Sequence, residues 1–497
     1  MTVSNEFINS TRMLIPLAIT MAAPILIWLF RENENRREAV SVWAGVLAFI
    51  SVLSMVPAVL EGTIREYTLF TIMPGINVSF AADGLAFVFA LVASLLWIFA
   101  TSYNIGYMRT LNEHAQTRYY FCFAVAIFGA LGVAFSANIF TLYLFYEVIS
   151  VFTYPLVAHH QDDASFSGAR KYMIYLMGTS KLFFLPAMVL TYVLAGTLDF
   201  NIGNIQQGIF PADANPTLVT ITYVLYIAGL AKAALMPLHN WLPSAMVAPT
   251  PVSALLHAVA VVKAGVFSVS RVILSGFGVD LMDKLGLGMP TAYLAAFTII
   301  TASLIALTKD DIKARLAYST VSQLSYIIIG VSMLTPEAVQ GGLMHIAHHA
   351  FSKITLFFGA GAIFVATNLR LISKMDGLGR RMPWTFGAFA IASLSMIGVP
   401  PVCGFATKWY LVKGAVTIGE WGLLIALLAS TLLNAGYFAP IIYRAFFKAP
   451  AEGANIEQYN EAPLTMVIPL FTTALISVWL GLYPQTFLQF INVFGKF

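Results

Sequence analysis

Apolar windows of about 20 residues, each long enough to cross the hydrocarbon core of a bilayer, recur from end to end of this chain and are separated by short polar segments. They lie near 13–30, 39–61, 83–106, 118–135, 137–158, 171–195, 217–237, 251–273, 287–308, 314–334, 338–367, 384–412, 420–445 and 463–484, so the pattern predicts fourteen membrane-spanning helices. The first window is expected to be a span and not a cleavable signal peptide, because no small-residue cleavage site follows it and Arg31 to Glu38 has the character of an ordinary loop. Gly62–Ala82 and Thr197–Pro216 are longer and more polar, and are expected to form outer loops carrying short strands or amphipathic pieces.

Composition agrees with the pattern. With 59% apolar residues, 10% charged residues and a mean hydropathy of +0.81, the chain cannot present enough polar surface for a water-soluble globule. The expectation is an all-α, multi-pass protein of the cell (inner) membrane, with the lipid bilayer as its solvent and no nucleic-acid partner. Cys122 and Cys403 sit far apart in apolar surroundings, which argues against a disulfide framework, an iron–sulfur cluster or a cysteine zinc site.

The basic residues test the span count. Numbering the loops alternately, one side collects sixteen of the 27 lysines and arginines (Arg31, Arg36, Arg37, Arg109, Arg118, Arg170, Lys171, Lys309, Lys313, Arg315, Arg370, Lys374, Arg380, Arg381, Arg444 and Lys448), and the other collects six (Arg12, Arg65, Arg271, Lys284, Lys413 and Lys496). A missed span would scramble this segregation, so an even number of crossings is expected. By the positive-inside rule both termini then face away from the cytoplasm.

The remaining five cations, Lys181, Lys232, Lys263, Lys353 and Lys408, fall inside membrane-grade apolar stretches, where Glu147 is the carboxylate expected to share their depth. A charge at the bilayer centre costs roughly 2.5–3.5 kcal/mol on insertion scales. Two of the lysines stand beside interruptions. Gly229 to Pro243 contains Lys232 and Pro237, and Gly398 to Lys408 contains Pro400 and Pro401. Proline removes a backbone hydrogen bond and clashes with the preceding turn, so each helix is expected to break beside its lysine. The breaks lie five spans apart, and an odd offset is what inversion of a second unit requires; interrupted helices in matching positions point to an ion site near the midplane of an inverted-repeat transporter. Backbone freed at a break must be satisfied by protein or water, so water is expected there. Desolvation disfavours a lysine's charged form and a nearby carboxylate favours it, a balance that makes a proton easy to shift.

In the segment Gly342 to Lys353, His345, His349 and Lys353 recur at intervals of four residues and therefore share one helix face, with successive neighbours about 6 Å apart. His257 precedes Lys263 by six residues, which places the two on different faces, where water could join them. Each residue also has a structural reading: His239 and His348 as hydrogen-bonded core histidines, Arg271 and Lys413 snorkelling from helix ends, Lys181 doing so less easily, and Glu147 with Lys232 as an ion pair that fixes packing. Five cations cannot all pair with one carboxylate, and that imbalance favours a proton relay over a non-conducting scaffold.

Other chemistries have less support. His345-Ile346-Ala347-His348-His349 lacks the glutamate of a zinc-protease helix. Neither a Walker motif nor a dinucleotide glycine fingerprint is present, so coupling to ATP within the chain is not expected. No catalytic residue, metal site or cofactor is assigned. Phe358-Gly359-Ala360-Gly361 reads as a close-packing segment.

Four segments carry a specific resemblance: Pro237 to Pro243, Ala248 to Ala258, Asp311 to Gln323, and His348 to Lys353. Over about residues 80–450 the chain resembles the antiporter-like membrane subunits shared by respiratory complex I, membrane-bound hydrogenases and Mrp-type sodium/proton antiporters. The resemblance implies three N-terminal helices within 1–110, a five-helix ion-translocating repeat in 118–273, an inverted repeat in 287–445, and a final helix in 446–497. It implies a mid-membrane relay in which Glu147 resembles the family's glutamate on the fifth helix, Lys232 its partner on the broken seventh, Lys263 the lysine of the eighth and Lys408 that of the broken twelfth. His257, His345, His349 and Lys353 resemble its connecting residues, and Lys181 has no assigned counterpart. The implied partners are other membrane subunits, with H+ and possibly Na+ as the transported ions. The chain stops soon after the last expected span, so the lateral helix of the longest complex I subunit of this type is not expected. Its length suits the D-type Mrp subunit or a hydrogenase subunit, and membership of a redox-driven translocase remains the alternative to an Mrp antiporter.

Overall fold

The computed structural model describes residues 6–254, 260–450 and 456–496. Helices succeed one another through it: α1 (Leu14–Leu29), α2 (Glu34–Leu53), α3 (Gly84–Thr110), α4 (Gln116–Ala134), α5 (Ile139–Val157), α6 (Asp163–Thr179), α7 (Leu185–Ala195), α8 (Pro216–Gly229), α9 (Val261–Arg271), α10 (Gly288–Leu307), α11 (Ile312–Ser332), α12 (Pro336–Thr367), α13 (Pro383–Ile397), α14 (Cys403–Thr417), α15 (Trp421–Phe446), α16 (Leu464–Leu482) and α17 (Gln485–Gly495). A π turn at Ser180–Phe184 joins α6 to α7. Ten helical stretches among the described residues are long and apolar enough to cross a membrane. The other four expected spans fall on α8 with the segment after it, on α9, on α11, and on α13 with α14.

The helices bury polar residues and turn apolar ones outward, as lipid requires. On α15, Trp421, Ile425, Leu428 and Leu432 are exposed at helical spacing, while Ser430, Asn434, Tyr437 and Ile441 on the opposite face are buried. Small residues allow close approach: a Cβ at Gly361 would fall 2.3 Å from the Tyr103 hydroxyl oxygen on α3.

The first long polar loop, 62–82, folds into strands. β2 (Thr63–Met73) pairs antiparallel with β3 (Ile76–Ala82) and parallel with β1 (Glu6–Asn9). The second, from Thr197 to Pro216, contributes an isolated bridge between Asp199 and Asn138. After α16 the chain adds α17, whose Phe490 stacks on Phe87 of α3 with ring centroids 6.0 Å apart.

Arg271 does not reach an interface. Its side chain is fully buried and forms a two-pronged pair with Asp83, with Nη1 to Oδ2 at 2.5 Å and Nη2 to Oδ1 at 2.8 Å. Asp83 also caps α3 by accepting from the Ala86 amide at 2.8 Å. Asp83 and Glu38, 2% and 3% exposed, therefore join Glu147 as carboxylates withdrawn from solvent. Hydropathy alone missed both because each stands at the polar edge of an apolar window.

Candidate functional site

The first break follows α8. After Gly229 the chain makes a short 3-10 turn at Ala231–Ala233 and then an irregular stretch containing a cis Met236–Pro237 bond, before a one-turn helix at Trp241–Ser244. Neighbouring side chains satisfy several of the freed backbone groups. Trp241 Nε1 donates to the Ala231 carbonyl at 2.9 Å, the Tyr146 hydroxyl accepts from the Lys232 amide at 3.1 Å, and Thr298 Oγ1 accepts from the Met236 amide at 3.2 Å. Protein atoms thus fill much of the role expected of water.

Lys232 is fully buried. Its Nζ donates to the Tyr146 carbonyl at 2.6 Å and to Ser150 Oγ at 2.7 Å, and lies 3.1 Å from the centroid of the Tyr146 ring. The ion pair of Glu147 is formed with Lys181 instead, 3.0 Å from Nζ to Oε2, and Lys181 also donates to the Tyr143 hydroxyl at 2.6 Å. Adjacent positions on a helix point about 100° apart, so Tyr146 faces the broken segment while Glu147 faces α6 and its π turn. The Lys181 side chain is 45% exposed, which sets it apart from the other four lysines and brings the Glu147 pair to the chain's lateral surface.

Close packing places Lys232 against α9. A Cβ built on Gly265 would fall 2.3 Å from the Lys232 carbonyl carbon and 2.4 Å from the Ala233 nitrogen. Gly265→Val is therefore expected to displace the broken segment, at an overpacking cost of about 1–3 kcal/mol. A lower melting temperature with reduced ion flux would follow; an unchanged melting temperature would count against this account of the break.

Two residues before Gly265 on α9, Lys263 Nζ stands 2.7 Å from Nδ1 of His349 on α12. The His349 and His345 rings follow with centroids 5.6 Å apart, and His345 Nε2 lies 3.0 Å from Oε1 of Gln323 on α11. Lys353, one turn further along the same face, donates to Ser319 Oγ at 2.8 Å. Lys263, His349 and Lys353 have no measurable exposure and His345 has 1%. His257 lies outside the described residues.

The second break, between α13 and α14, contains a cis Pro400–Pro401 bond. Lys408 reaches back across it and donates to the carbonyls of Met396 and Ile397 at 3.2 and 2.7 Å and to Thr431 Oγ1 at 3.1 Å. A cation thereby caps the carbonyl end of the α13 half-helix, where the peptide dipoles favour positive charge. Gly398, at φ +93°, makes room for it, since a Cβ there would meet Lys408 Cδ at 2.7 Å. Asn434 Nδ2 also donates to the Met396 carbonyl, at 3.0 Å, and the Tyr437 hydroxyl donates to Asn434 Oδ1 while its oxygen lies 3.3 Å from Ser319 Oγ. A hydrogen-bonded string thus runs from Lys408 through Met396, Asn434, Tyr437 and Ser319 to Lys353.

Of the residues read as structural, His348 is buried with Nδ1 3.0 Å from Thr407 Oγ1, whereas His239 is only partly buried and Lys413 is exposed. The neutral members Tyr146, Ser150, Ser319, Gln323, Asn434 and Tyr437 carry no charge that would mark them in the sequence. The available signal was weak: hydroxyls and amides recurring on one face of apolar helices.

Residues 136–434 match the family described as NADH:quinone oxidoreductase/Mrp antiporter, TM. The chain belongs to this family. NADH-quinone oxidoreductase subunit N of Desulforudis audaxviator (strain MP104C) is 31% identical over 492 residues, covering 95% of each chain. Na(+)/H(+) antiporter subunit A1 of Staphylococcus aureus is 30% identical over 446 residues, covering 86% of this chain and 53% of the relative, so the chain spans about half of that protein. Among solved structures, a chain of the Mrp complex from Dietzia sp. DQ12-45-1b superposes with a TM-score of 0.85 at 20% identity, over 97% of this chain and 96% of that one. A chain of the membrane-bound sulfane sulfur reductase, an archaeal respiratory membrane complex, gives 0.85 at 24% identity, over 98% and 97%. These likenesses place the whole fold among the membrane subunits of the NADH:quinone oxidoreductase/Mrp antiporter family, and the matched stretch contains every relay candidate from Glu147 to Lys408.

Proposed function

We propose that this membrane protein moves protons, alone or against sodium, as one subunit of a larger complex, by way of Glu147, Lys181, Lys232, His257, Lys263, His345, His349, Lys353 and Lys408. The observation that carries the reading is the partnering of the buried amines. Lys232, Lys263, Lys353 and Lys408 are held by hydroxyls, carbonyls and an imidazole, and no carboxylate lies within ion-pair distance of them among the described residues. A buried ammonium without a carboxylate is expensive and gains nothing for packing that an apolar side chain would not supply. Groups of this kind suit a path along which each holds a proton transiently, water closing the gaps between Lys232, Lys263 and Lys353. Residues 118–273 and 287–445 are read as the two inverted repeats, each with one broken helix, and both termini as facing away from the cytoplasm.

Exchange of protons for sodium in an Mrp-type antiporter is the first setting. Coupling to redox partners is the second, and the match over 95% of both chains to an NADH-quinone oxidoreductase subunit favours it. In neither setting does this chain supply a prosthetic group. Proton flux into vesicles carrying the assembled complex, followed with a pH-sensitive dye, tests the reading. Glu147→Gln and Lys232→Ala are each expected to abolish flux without preventing assembly, and wild-type flux in a normally assembled variant would refute the relay. Dependence of flux on added sodium, or on an electron donor, separates the two settings.

A further inference from the structure

Away from the relay, two loops meet at one end of the helix bundle: residues 111–115 between α3 and α4, and residues 158–162 between α5 and α6. The first carries Glu113 and His114, the second His159 and His160. His114 Nδ1, His159 Nε2 and His160 Nδ1 stand 4.0, 3.6 and 3.7 Å from a single oxygen, Glu113 Oε2. The ligand atoms of Glu113, His114 and His159 all lie within 4.8 Å of one another.

His159 sets this apart from a chance surface cluster. It has no measurable exposure, yet its Nδ1 has no hydrogen-bond partner among the described residues and its Nε2 faces only Glu113 Oε2, at 3.6 Å, beyond hydrogen-bond distance. A buried imidazole with one nitrogen unpartnered and the other held off a carboxylate is costly unless something occupies the space it faces. Its backbone is fixed: Arg118 donates to the His159 carbonyl at 3.0 Å, and the ring packs edge-on against Tyr119 with centroids 5.7 Å apart. The other two imidazoles can adjust, because the His114 and His160 side chains are 48% and 33% exposed.

We propose that Glu113, His114, His159 and His160 form a binding site for a divalent transition metal of the zinc type, clamping the α3–α4 loop to the α5–α6 loop. Three imidazoles and one carboxylate make a donor set suited to that ion. Metal–ligand bonds of about 2.0–2.1 Å in a tetrahedron put ligand atoms about 3.3–3.5 Å apart, so the ligand atoms, now up to 4.8 Å apart, close on a metal by shifts of up to about 1.4 Å, which the exposed His114 and His160 side chains can supply. Sequence reading missed the site because its two halves are separated by the whole of α4 and α5 and neither Glu113-His114 nor His159-His160 has metal-ligand spacing by itself.

Equilibrium dialysis of the purified full-length chain, or of the complex containing it, against Zn2+ tests the proposal, with Co2+ as a spectroscopic probe. One Zn2+ per chain is expected, together with the intense visible bands of four-coordinate Co2+. Both should be lost in Glu113→Gln and His159→Gln, and His114→Asn, at an exposed position that spares the fold, should weaken binding by about ten-fold or more. Retention of equal Zn2+ by these variants, a Co2+ spectrum of octahedral type, or failure of the wild-type chain to bind either ion would overturn it.

Discussion

Asp83→Ala is expected to destabilise the folded chain by about 3–5 kcal/mol, because it strands a buried guanidinium without its counter-ion. Arg271 is enclosed by Phe267 and Phe494, whose ring centroids lie 5.3 and 5.5 Å from its guanidinium carbon, and both ends of its fork are occupied by the Asp83 carboxylate. The same substitution removes the cap from α3, which adds about 1 kcal/mol to the loss. Replacing both partners, as in Asp83→Leu with Arg271→Met, should recover most of the stability, since two apolar groups leave no orphaned charge. Thermal unfolding of the purified protein in detergent measures this directly. Strictly additive effects of the two substitutions would show that the residues do not act as a pair.

Lys263→Arg is expected to reduce proton transport by about a hundred-fold or more, the scale of a lost proton-transfer group, while leaving the fold intact. Arginine preserves the positive charge and the hydrogen-bonding reach toward His349, but it does not release its proton in the accessible pH range. This separates a relay from a structural role, since a purely structural lysine tolerates arginine far better than a proton carrier does. Because Lys263 and His349 touch, at 2.7 Å, Lys263→Met combined with His349→Leu should lose scarcely more than either change alone. Flux in vesicles containing the assembled complex is the measurement, and wild-type transport by Lys263→Arg would remove Lys263 from the path.

The length of the apolar windows, the two proline interruptions and the four-residue recurrence of His345, His349 and Lys353 were all legible in the chain, because each is a local consequence of helix geometry and of what lipid tolerates. Partnership was another matter. Glu147 was expected opposite Lys232, but adjacent positions on α5 diverge, and the carboxylate meets Lys181 while Tyr146 and Ser150 receive Lys232. Arg271 was expected to snorkel because it stands near the end of a span; its counter-ion lies 188 residues earlier in the chain, at a helix start that the strand hairpin delivers. Neutral residues such as Ser319, Gln323, Asn434 and Tyr437 drew no attention, since one hydroxyl or amide in an apolar helix usually satisfies itself on the preceding turn.

The sequence by itself determined that this protein lives in a bilayer, that its helices break beside Lys232 and Lys408, and that Lys232, Lys263, Lys353 and Lys408 are withdrawn from water. All of these depend on the cost of placing charge or unbonded backbone in hydrocarbon, which is felt residue by residue. Only the tertiary structure decided which groups touch: Lys263 with His349, Lys408 with the carbonyls of Met396 and Ile397, Glu147 with Lys181, and His159 with Glu113 across two loops. Those choices depend on how helices far apart in sequence rotate and pack, and packing is a property of pairs of surfaces that no single window of residues contains.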